Sequence, residues 1–474
     1  MQLKIGKLIF GGQGLGYAEE RGPFLVWNAL PDEEVEVENW KKKSGILEGI
    51  AQNIVKPSPH RIDAKESHFL SCSPWQVMDW DYENEQKVEI ARETFQKIAK
   101  PASPAGGLKI ENCKIVANGP LYGYRNKMEF SFAEVNGKIS LALFARGSHA
   151  MVALEKCELA SSAINETARA ILGWINEVKI PLRSLKTLIV RSNQRGETIA
   201  GLFIKDKIPM SDIWASFDVG HLKPKLVGID TLDSYSHILK NVRILGASIY
   251  YSTHQSPASV PTELLHHEGQ NFLEEEILGR KLRYGLFSFF QVNVPVFAKV
   301  LTDIADFVAD DADKLDILDL YCGTGAIGIY LASLTSKFRC PTSKDAQMSD
   351  IKTTPCISFV DNNEESVRFA QENIELNGLK NCEAVCASTE KALDLIVPNQ
   401  LLILDPPRSG LHKKVIEKIL EVKPKKIIYL SCNISTQARD LAFLTKNYKL
   451  ETINLYNFFP RTPHIEGLAI LERK

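Results

Sequence analysis

The feature that most restricts the fold lies in the last third of the chain. Five apolar runs of strand length recur there, at 315–320 (LDILDL), 357–361 (ISFVD), 401–405 (LLILD), 427–431 (IIYLS) and 468–471 (LAIL). Helix-like segments at 325–335, 363–377, 411–421 and 435–446 separate them. Strands that alternate with helices predict a doubly wound α/β sheet with helices on both faces. Such a sheet binds its ligands beyond the carboxyl ends of its strands. The polar stretch 336–356 interrupts the alternation and reads as a surface insertion.

The rest of the 474 residues is organised differently. At roughly 100–200 residues per domain the length allows two or three domains. Residues 1–58 read as about five short strands broken by turns, including the Gly-rich KLIFGGQGLGYA and the alternating EEVEVENW. That pattern suits a small OB-like β-barrel. Residues 59–275 read as a central α+β domain, with a helix over EQKVEIARETFQKIAK, a loop PASPAGG (101–107), strands KMEFSFAEV, KISLALFA, TLIVRSN and ETIAGLFI, and an amphipathic helix ASSAINETARAILGWINEV. Residues 276–474 form the α/β domain. The net charge of −1 carries no electrostatic signature of a nucleic-acid partner, so any such surface must be a local patch. No apolar run reaches the roughly 20 residues of a membrane helix. The N-terminus lacks the apolar core of a signal peptide, and nine cysteines form no paired framework, which together point to reduced thiols in the cytoplasm.

The strongest local motif is Asp319-Leu320-Tyr321-Cys322-Gly323-Thr324-Gly325-Ala326-Ile327-Gly328, a strand, a Gly-rich turn and a helix start. Glycines admit positive φ and let a ligand approach the backbone. The spacing differs from the dinucleotide form G-x-G-x-x-G and matches the S-adenosylmethionine loop of class I (Rossmann-like) methyltransferases. A purely structural turn is the alternative. Asp361 closes the next strand, where a carboxylate either takes ribose hydroxyls or caps the helix over 363–377.

At the opposite end of the pattern, the run ending in Asp405 continues Pro406-Pro407-Arg408, and the next ends Ser431-Cys432-Asn433. Arg408 replaces the aromatic residue that N-methyltransferases place after D-P-P, which weakens an amino-group reading. Cys432 at a strand's carboxyl end is either a core thiol or a nucleophile. His464 and Glu466 lie in FPRTPHIEG, before the last strand. A thiol and a carboxylate at one cofactor edge are what methylation of a pyrimidine at C5 requires. Thiolate addition at C6 makes C5 nucleophilic, and a base must then remove the C5 proton. Basic neighbours are expected to lower the pKa of the thiol.

With FFQVN (289–293), DLYCGTGAIG, LDPPRSG, SCN followed by Thr436, Ala438, Arg439 and Asp440, and FPRTPHIEG, the chain resembles the RNA 5-methyluridine methyltransferases over nearly its whole length. The resemblance implies that Gln291, Tyr321, Gly323, Gly325, Asp361 and Asp405 contact S-adenosylmethionine, that Cys432 is the nucleophile and Glu466 the base, and that Phe289 meets flipped RNA bases. Arg125 and Lys127 in LYGYRNK, with Tyr122, Tyr124 and Asn126, are further RNA candidates, as are Arg408 and His464. The N-terminal segment is similar to the TRAM domain, an OB-like RNA-binding module, which favours ribosomal over transfer RNA as partner. Neither a membrane nor an obligate protein partner is expected.

Two positions depart from the family. Many members carry a four-cysteine iron–sulfur site, and here its positions read Glu66, Cys72, Trp75 and Cys157. With two thiolates missing, no such cluster and no metal is expected. Burial of Trp75 is expected to supply comparable stabilisation, about 1.5–3 kcal/mol or more. Ser388 stands where the family has Asp or Asn near the adenine. Competing readings are a transfer-RNA enzyme of the same class, a methyltransferase for cytosine C5 or an amino group, and a non-catalytic RNA-binding relative. Cytosine enzymes place their cysteine after proline, which SCN does not.

Overall fold

A computed structural model describes residues 1–19, 21–99, 113–206, 217, 243–253, 259–309, 314–334 and 357–474. The expected loop at 101–107 and the expected insertion at 336–356 lie outside the described residues.

Strands β1 (Gln2–Leu8), β2 (Gly14–Ala18), β3 (Gly22–Trp27), β4 (Glu34–Lys43) and β5 (Ile46–Lys56) close into a barrel in the order β1-β2-β3-β5-β4. Successive side chains on a strand face opposite ways, so Leu3 and Ile5, Phe24 and Val26, and Val35 and Val37 all point inward and fill it. This is the small closed barrel expected from the first 58 residues.

The next stretch departs from expectation. Helices α1 (Phe69–Cys72) and α2 (Trp80–Ala99) and the short β6 (Ile115–Val116) were read as part of the central domain. Instead Ile90, Ala91 and Phe95 of α2 share one apolar cluster with Leu441, Leu444 and Tyr448 of the C-terminal domain, and β6 pairs parallel with a C-terminal strand. The helix pattern gave the element correctly. The partner of its buried stripe lies more than 300 positions away and leaves no local trace.

The central unit is a seven-stranded sheet ordered β13-β12-β11-β10-β7-β8-β9, built from β7 (Lys127–Val135), β8 (Lys138–Phe144), β9 (Met151–Ala153), β10 (Leu185–Ser192), β11 (Glu197–Ile204), β12 (Arg243–Tyr251) and β13 (Glu263–Gly269). Helix α3 (Ser162–Glu177) lies on it through Ile164, Ala168, Ile171 and Ile175, and the Ser161 side chain caps its start by accepting from Ile164 N–H. The hairpin β14 (Phe272–Ile277) and β15 (Arg280–Gly285) already belongs to the C-terminal core, through Leu273, Ile277, Leu282 and Tyr284.

The C-terminal sheet has the order β18-β17-β16-β19-β20-β22-β21-β6. Its strands are β16 (Asp316–Leu320), β17 (Ile357–Asp361), β18 (Cys382–Cys386), β19 (Gln400–Leu404), β20 (Lys426–Ser431), β21 (Tyr448–Tyr456) and β22 (Glu466–Arg473). β18 through β20 are parallel, and β22 runs antiparallel to both β20 and β21. Helices α4 (Val294–Val308), α5 (Ala326–Leu334), α6 (Glu364–Leu376), α7 (Lys413–Val422) and α8 (Ile434–Leu444) cover its faces. Alternate residues go to opposite cores: Ile317, Phe359 and Ile403 to one, Leu318, Val360 and Leu402 to the other. The chain direction across the sheet reverses at β16, flanked by β17 and β19, so a crevice opens at their carboxyl ends.

Candidate active site

The loop after β16 turns sharply. Tyr321, Gly323 and Gly325 take φ of 63°, 55° and 82°, the last two being the positions where the sequence supplies glycine. Asp319, 1 % exposed, accepts from Gly328 N–H at 3.1 Å and so holds the first turn of α5 on the loop. Its Oδ1 has no partner, although the residue lines an open cleft of about 320 Å³. Burial, helped by Asp405 and Asp361, pushes its carboxyl up to about 8 against the Gly328 hydrogen bond.

Phe289, Gln291, Tyr321, Thr324 and Asp405 line the same cleft. Gln291 Nε2 donates to Asp405 Oδ2 at 3.2 Å. Asp361 Oδ2 accepts from Gly323 N–H at 3.0 Å, so this carboxylate fixes the Gly loop. It does not cap α6: that role falls to Asn363, whose side chain accepts from Ser366 N–H at 2.8 Å. Ser388 follows β18, whose strand-end Cys386 is paired with Asp361, and its hydroxyl makes no helix-cap hydrogen bond. The cofactor candidates are thereby gathered on one rim of the sheet. An unpaired buried acceptor, glycines that admit close approach and aromatic walls fit S-adenosylmethionine, and these are the residues that would hold it.

The loop carrying Phe289 and Gln291 is anchored by Arg191 and Glu365, which sequence reading passed over, and by Asn126, named there as an RNA candidate. Arg191, 1 % exposed, donates from Nη1 to Gly285 O and Ser288 O at 2.7 and 2.6 Å. Glu365 Oε1 accepts from Phe287 N–H and Ser288 N–H, and Asn126 Nδ2 donates to Gln291 O at 2.9 Å. Phe289 itself remains 56 % exposed, a large apolar ring left open at the cleft.

Across the sheet, strand register does the positioning. β20 and β22 pair antiparallel with Ser431 opposite Gly467, which sets Cys432 beside Glu466. Gln437, fully buried on α8, ties the two strand ends by donating from Nε2 to Tyr429 O and Gly467 O, both at 2.9 Å. Asn433 caps α8 and donates from Nδ2 to Arg408 O at 2.8 Å, drawing LDPPRSG against SCN. The FPRTPHIEG segment is held by α2. Lys87 Nζ, fully buried, donates to Glu83 Oε1 (2.9 Å), Asn457 Oδ1 (2.6 Å) and Phe459 O (3.1 Å), while Glu83 accepts from Arg461 N–H.

The electrostatics differ from expectation at the thiol. Burial, then the charges of Glu466 and Asp405, push Cys432 up to about 12, and only Arg408 pulls the other way. Basic neighbours therefore do not leave it a thiolate at rest. Glu466, 1 % exposed, is pushed well above the carboxylate range by burial and Asp405, again opposed by Arg408. Burial and the surrounding cations, Arg408 and Arg125 foremost, hold His464 down to about 4, so its ring is neutral. Arg125 is held elsewhere by backbone contacts, its N–H donating to Leu159 O and its carbonyl accepting from Ser161 N–H. Lys127 sits apart, against Arg191 and Glu365, and burial brings it down to about 8. Tyr124 is structural, its hydroxyl donating to Pro460 O at 3.0 Å.

A second polar cluster lies in the 59–80 segment. Glu66, Cys72 and Cys157 meet there as their positions implied, but with two thiols a four-cysteine iron–sulfur cluster does not fit. The fourth member is His68, which the sequence reading overlooked, and not Trp75. Trp75 is 2 % exposed in a different apolar cluster, and its Nε1 donates to Gly12 O of the barrel at 3.0 Å.

Among the described residues no helix is long and apolar enough to cross a membrane. Residues 266–474 match the family tRNA (Uracil-5-)-methyltransferase. Over 483 residues the chain is 29 % identical to an uncharacterised RNA methyltransferase of Caldanaerobacter subterraneus subsp. tengcongensis, covering 99 % of this chain and 98 % of that protein. It is 29 % identical over 492 residues to another from Fusobacterium nucleatum subsp. nucleatum, covering 100 % and 96 %. In fold it is similar to the crystal structure of Pyrococcus abyssi tRNA (uracil-54, C5)-methyltransferase in complex with S-adenosyl-L-homocysteine, with a TM-score of 0.71 and 22 % identity over 99 % of this chain and 100 % of that one. The closed barrel and the α/β sheet accompany this family match, which covers residues 266–474.

Proposed function

We propose that the protein methylates C5 of a uridine in RNA through a covalent bond between Cys432 Sγ and C6 of the base. The observation that carries this reading is the β20–β22 register, which sets a thiol and a buried carboxylate side by side at the cofactor rim. S-adenosylmethionine, when bound in the cleft, supplies the methyl group. The chain's own residues do the rest. Cys432 gives its proton to solvent and Sγ bonds to C6, and the C5=C6 electron pair moves onto C5 and the adjacent carbonyl. Once C5 carries the methyl group, Glu466 takes the C5 proton, the C5=C6 bond re-forms and Cys432 leaves as thiolate. Arg408 is the cation that favours the ionised form of both acids. Exposed Phe289 offers a face on which a flipped base stacks.

The barrel suits RNA. It does not by itself select ribosomal RNA, because a structure titled as a transfer-RNA enzyme matches 99 % of this chain, barrel included. The test is RNA containing 5-fluorouridine, whose C5 fluorine cannot leave as a proton. A denaturation-stable adduct should form with cofactor present and vanish in Cys432→Ala. With ordinary uridine, Glu466→Gln should accumulate the methylated adduct. If the wild-type chain binds cofactor and RNA but forms no adduct, the covalent reading fails. Mapping 5-methyluridine in ribosomal and transfer RNA from a strain lacking the gene identifies the target.

A further inference from the structure

We propose that Glu66, His68, Cys72 and Cys157 form a closed site for one tetrahedral divalent cation of the zinc type. One ligand atom from each of the four residues lies within 4.8 Å of every other. A zinc tetrahedron with arms of roughly 2.0–2.3 Å has edges of about 3.3–3.8 Å, so the four atoms need to draw in by about an ångström or less. Cys72 Sγ already stands 3.8 Å from Glu66 Oε2, and His68 Nε2 stands 3.1 Å from the other carboxylate oxygen, Oε1.

A second observation points to a ligand. His68 is 7 % exposed, and its Nε2 faces this cluster, in ion-pair contact with Glu66 Oε1 at 3.1 Å but without hydrogen-bond geometry to it. A buried imidazole nitrogen that is poorly aligned to its neighbour is better satisfied by a cation that takes its lone pair. Glu66 meanwhile is held from behind, as a ligating carboxylate usually is: Gln76 Nε2 donates to Oε2 at 2.6 Å and Glu158 N–H to Oε1 at 2.5 Å. A carboxylate has roughly four lone-pair sites, so lone pairs remain for a cation. Two thiolates and an imidazole discriminate against magnesium and calcium, and four protein ligands leave no open position for catalysis. The site would therefore be structural. It would pin the segment between barrel and α2, which supplies Glu66, His68 and Cys72, to the central domain, which supplies Cys157. On binding, both thiols give up their protons to solvent and no electron changes hands.

The test uses the full chain. Purified protein should hold one zinc per chain, lost in His68→Ala and Cys157→Ala. To separate metal loss from misfolding of those variants, the wild-type chain is also stripped with a chelator and titrated with Co2+. Intense visible bands of tetrahedral cobalt and a near-ultraviolet thiolate charge-transfer band are expected, displaced by Zn2+. Gln76→Ala, which keeps all four ligands, should weaken affinity by about 10–100-fold. The proposal is overturned if the wild-type chain takes up neither metal, if cobalt shows no thiolate charge transfer, if zinc survives both ligand substitutions, or if the chain holds iron with acid-labile sulfide or a Cys72–Cys157 disulfide instead.

Discussion

Gly467→Ala perturbs the proposed catalytic pair, Cys432 and Glu466, without replacing either side chain. A Cβ at this position would stand 2.2 Å from Gln437 Oε1 and 3.4 Å from Ile434 Cγ2. The amide cannot retreat freely, because Gln437 is fully buried and its Nε2 already bridges Tyr429 O and Gly467 O. Overpacking of this kind costs about 1–3 kcal/mol. Displacing the amide also loosens the bridge between the strand ends that carry Cys432 and Glu466. A misplacement near 1 Å can cost about 100-fold in rate. Gln437→Ala alone should cost about 1–3 kcal/mol from carbonyls left unpaired. The diagnostic is the double variant: with the side chain truncated, the alanine methyl has room, so Gly467→Ala/Gln437→Ala should be no less stable than Gln437→Ala. The coupling energy is expected to be roughly 1–2 kcal/mol, within the range for residues in contact. Urea denaturation of the four proteins measures it, and adduct formation with 5-fluorouridine RNA reports the rate. Additive losses would refute the claim that the Gln437 amide is what excludes a side chain at 467.

Two further outcomes follow from the buried charges. Both Cys432 and Glu466 are pushed toward their protonated forms, so adduct formation should accelerate with rising pH, by up to about tenfold per unit while one proton limits the rate. Arg408→Ala removes the opposing cation and should move that profile to higher pH, and a profile unchanged by the substitution would contradict the electrostatic role. Lys87→Met leaves Glu83 without its main buried cation and should cost about 3–5 kcal/mol. At about 2–4 °C per kcal/mol for a cooperative unit of 150–250 residues, the melting temperature should fall by roughly 6–20 °C. Glu83→Leu/Lys87→Met, which removes both charges, should recover most of that loss in the same thermal scan.

The interior strands β16, β17, β19, β20 and β22 were legible because fully buried strands are continuously apolar and their helices keep a 3.6-residue stripe. The strand at Cys382–Cys386 was not, because it lies at one sheet edge with residues such as Glu383 and Cys386 facing water. Tyr448–Tyr456 mixes Lys449 and Glu451 with buried Tyr448 and Leu455, and so gave no strand-length apolar run. Within the candidate site, strand-end positions in short motifs brought Cys432, Glu466 and Asp361 forward as candidates, and the sheet places all three at its carboxyl rim. The supporting residues left no such mark. Glu83 and Lys87 look like an ordinary surface i,i+4 pair, Arg191 sits in a strand like any cation, and His68 has no partner at a recognised ligand spacing. Each acquires meaning only from a neighbour supplied by distant sequence.

The pairing of Ile115–Val116 with Leu455–Tyr456 has a consequence for how the chain folds. One rim of the catalytic sheet is finished by two residues synthesised some 340 positions before their partner. Until the C-terminus emerges, that stretch and the apolar face of α2 have nowhere to dock, and the last step of assembly closes a very long loop. Closure entropy grows only slowly with length, but contacts this remote make folding slow. A fragment cut at the family boundary near 266 would expose the outer hydrogen-bonding edge of Tyr448–Tyr456 to other chains. One edge of the C-terminal sheet is thus completed by strands drawn from two distant parts of the chain, and until they meet, the Tyr448–Tyr456 edge stays open to association.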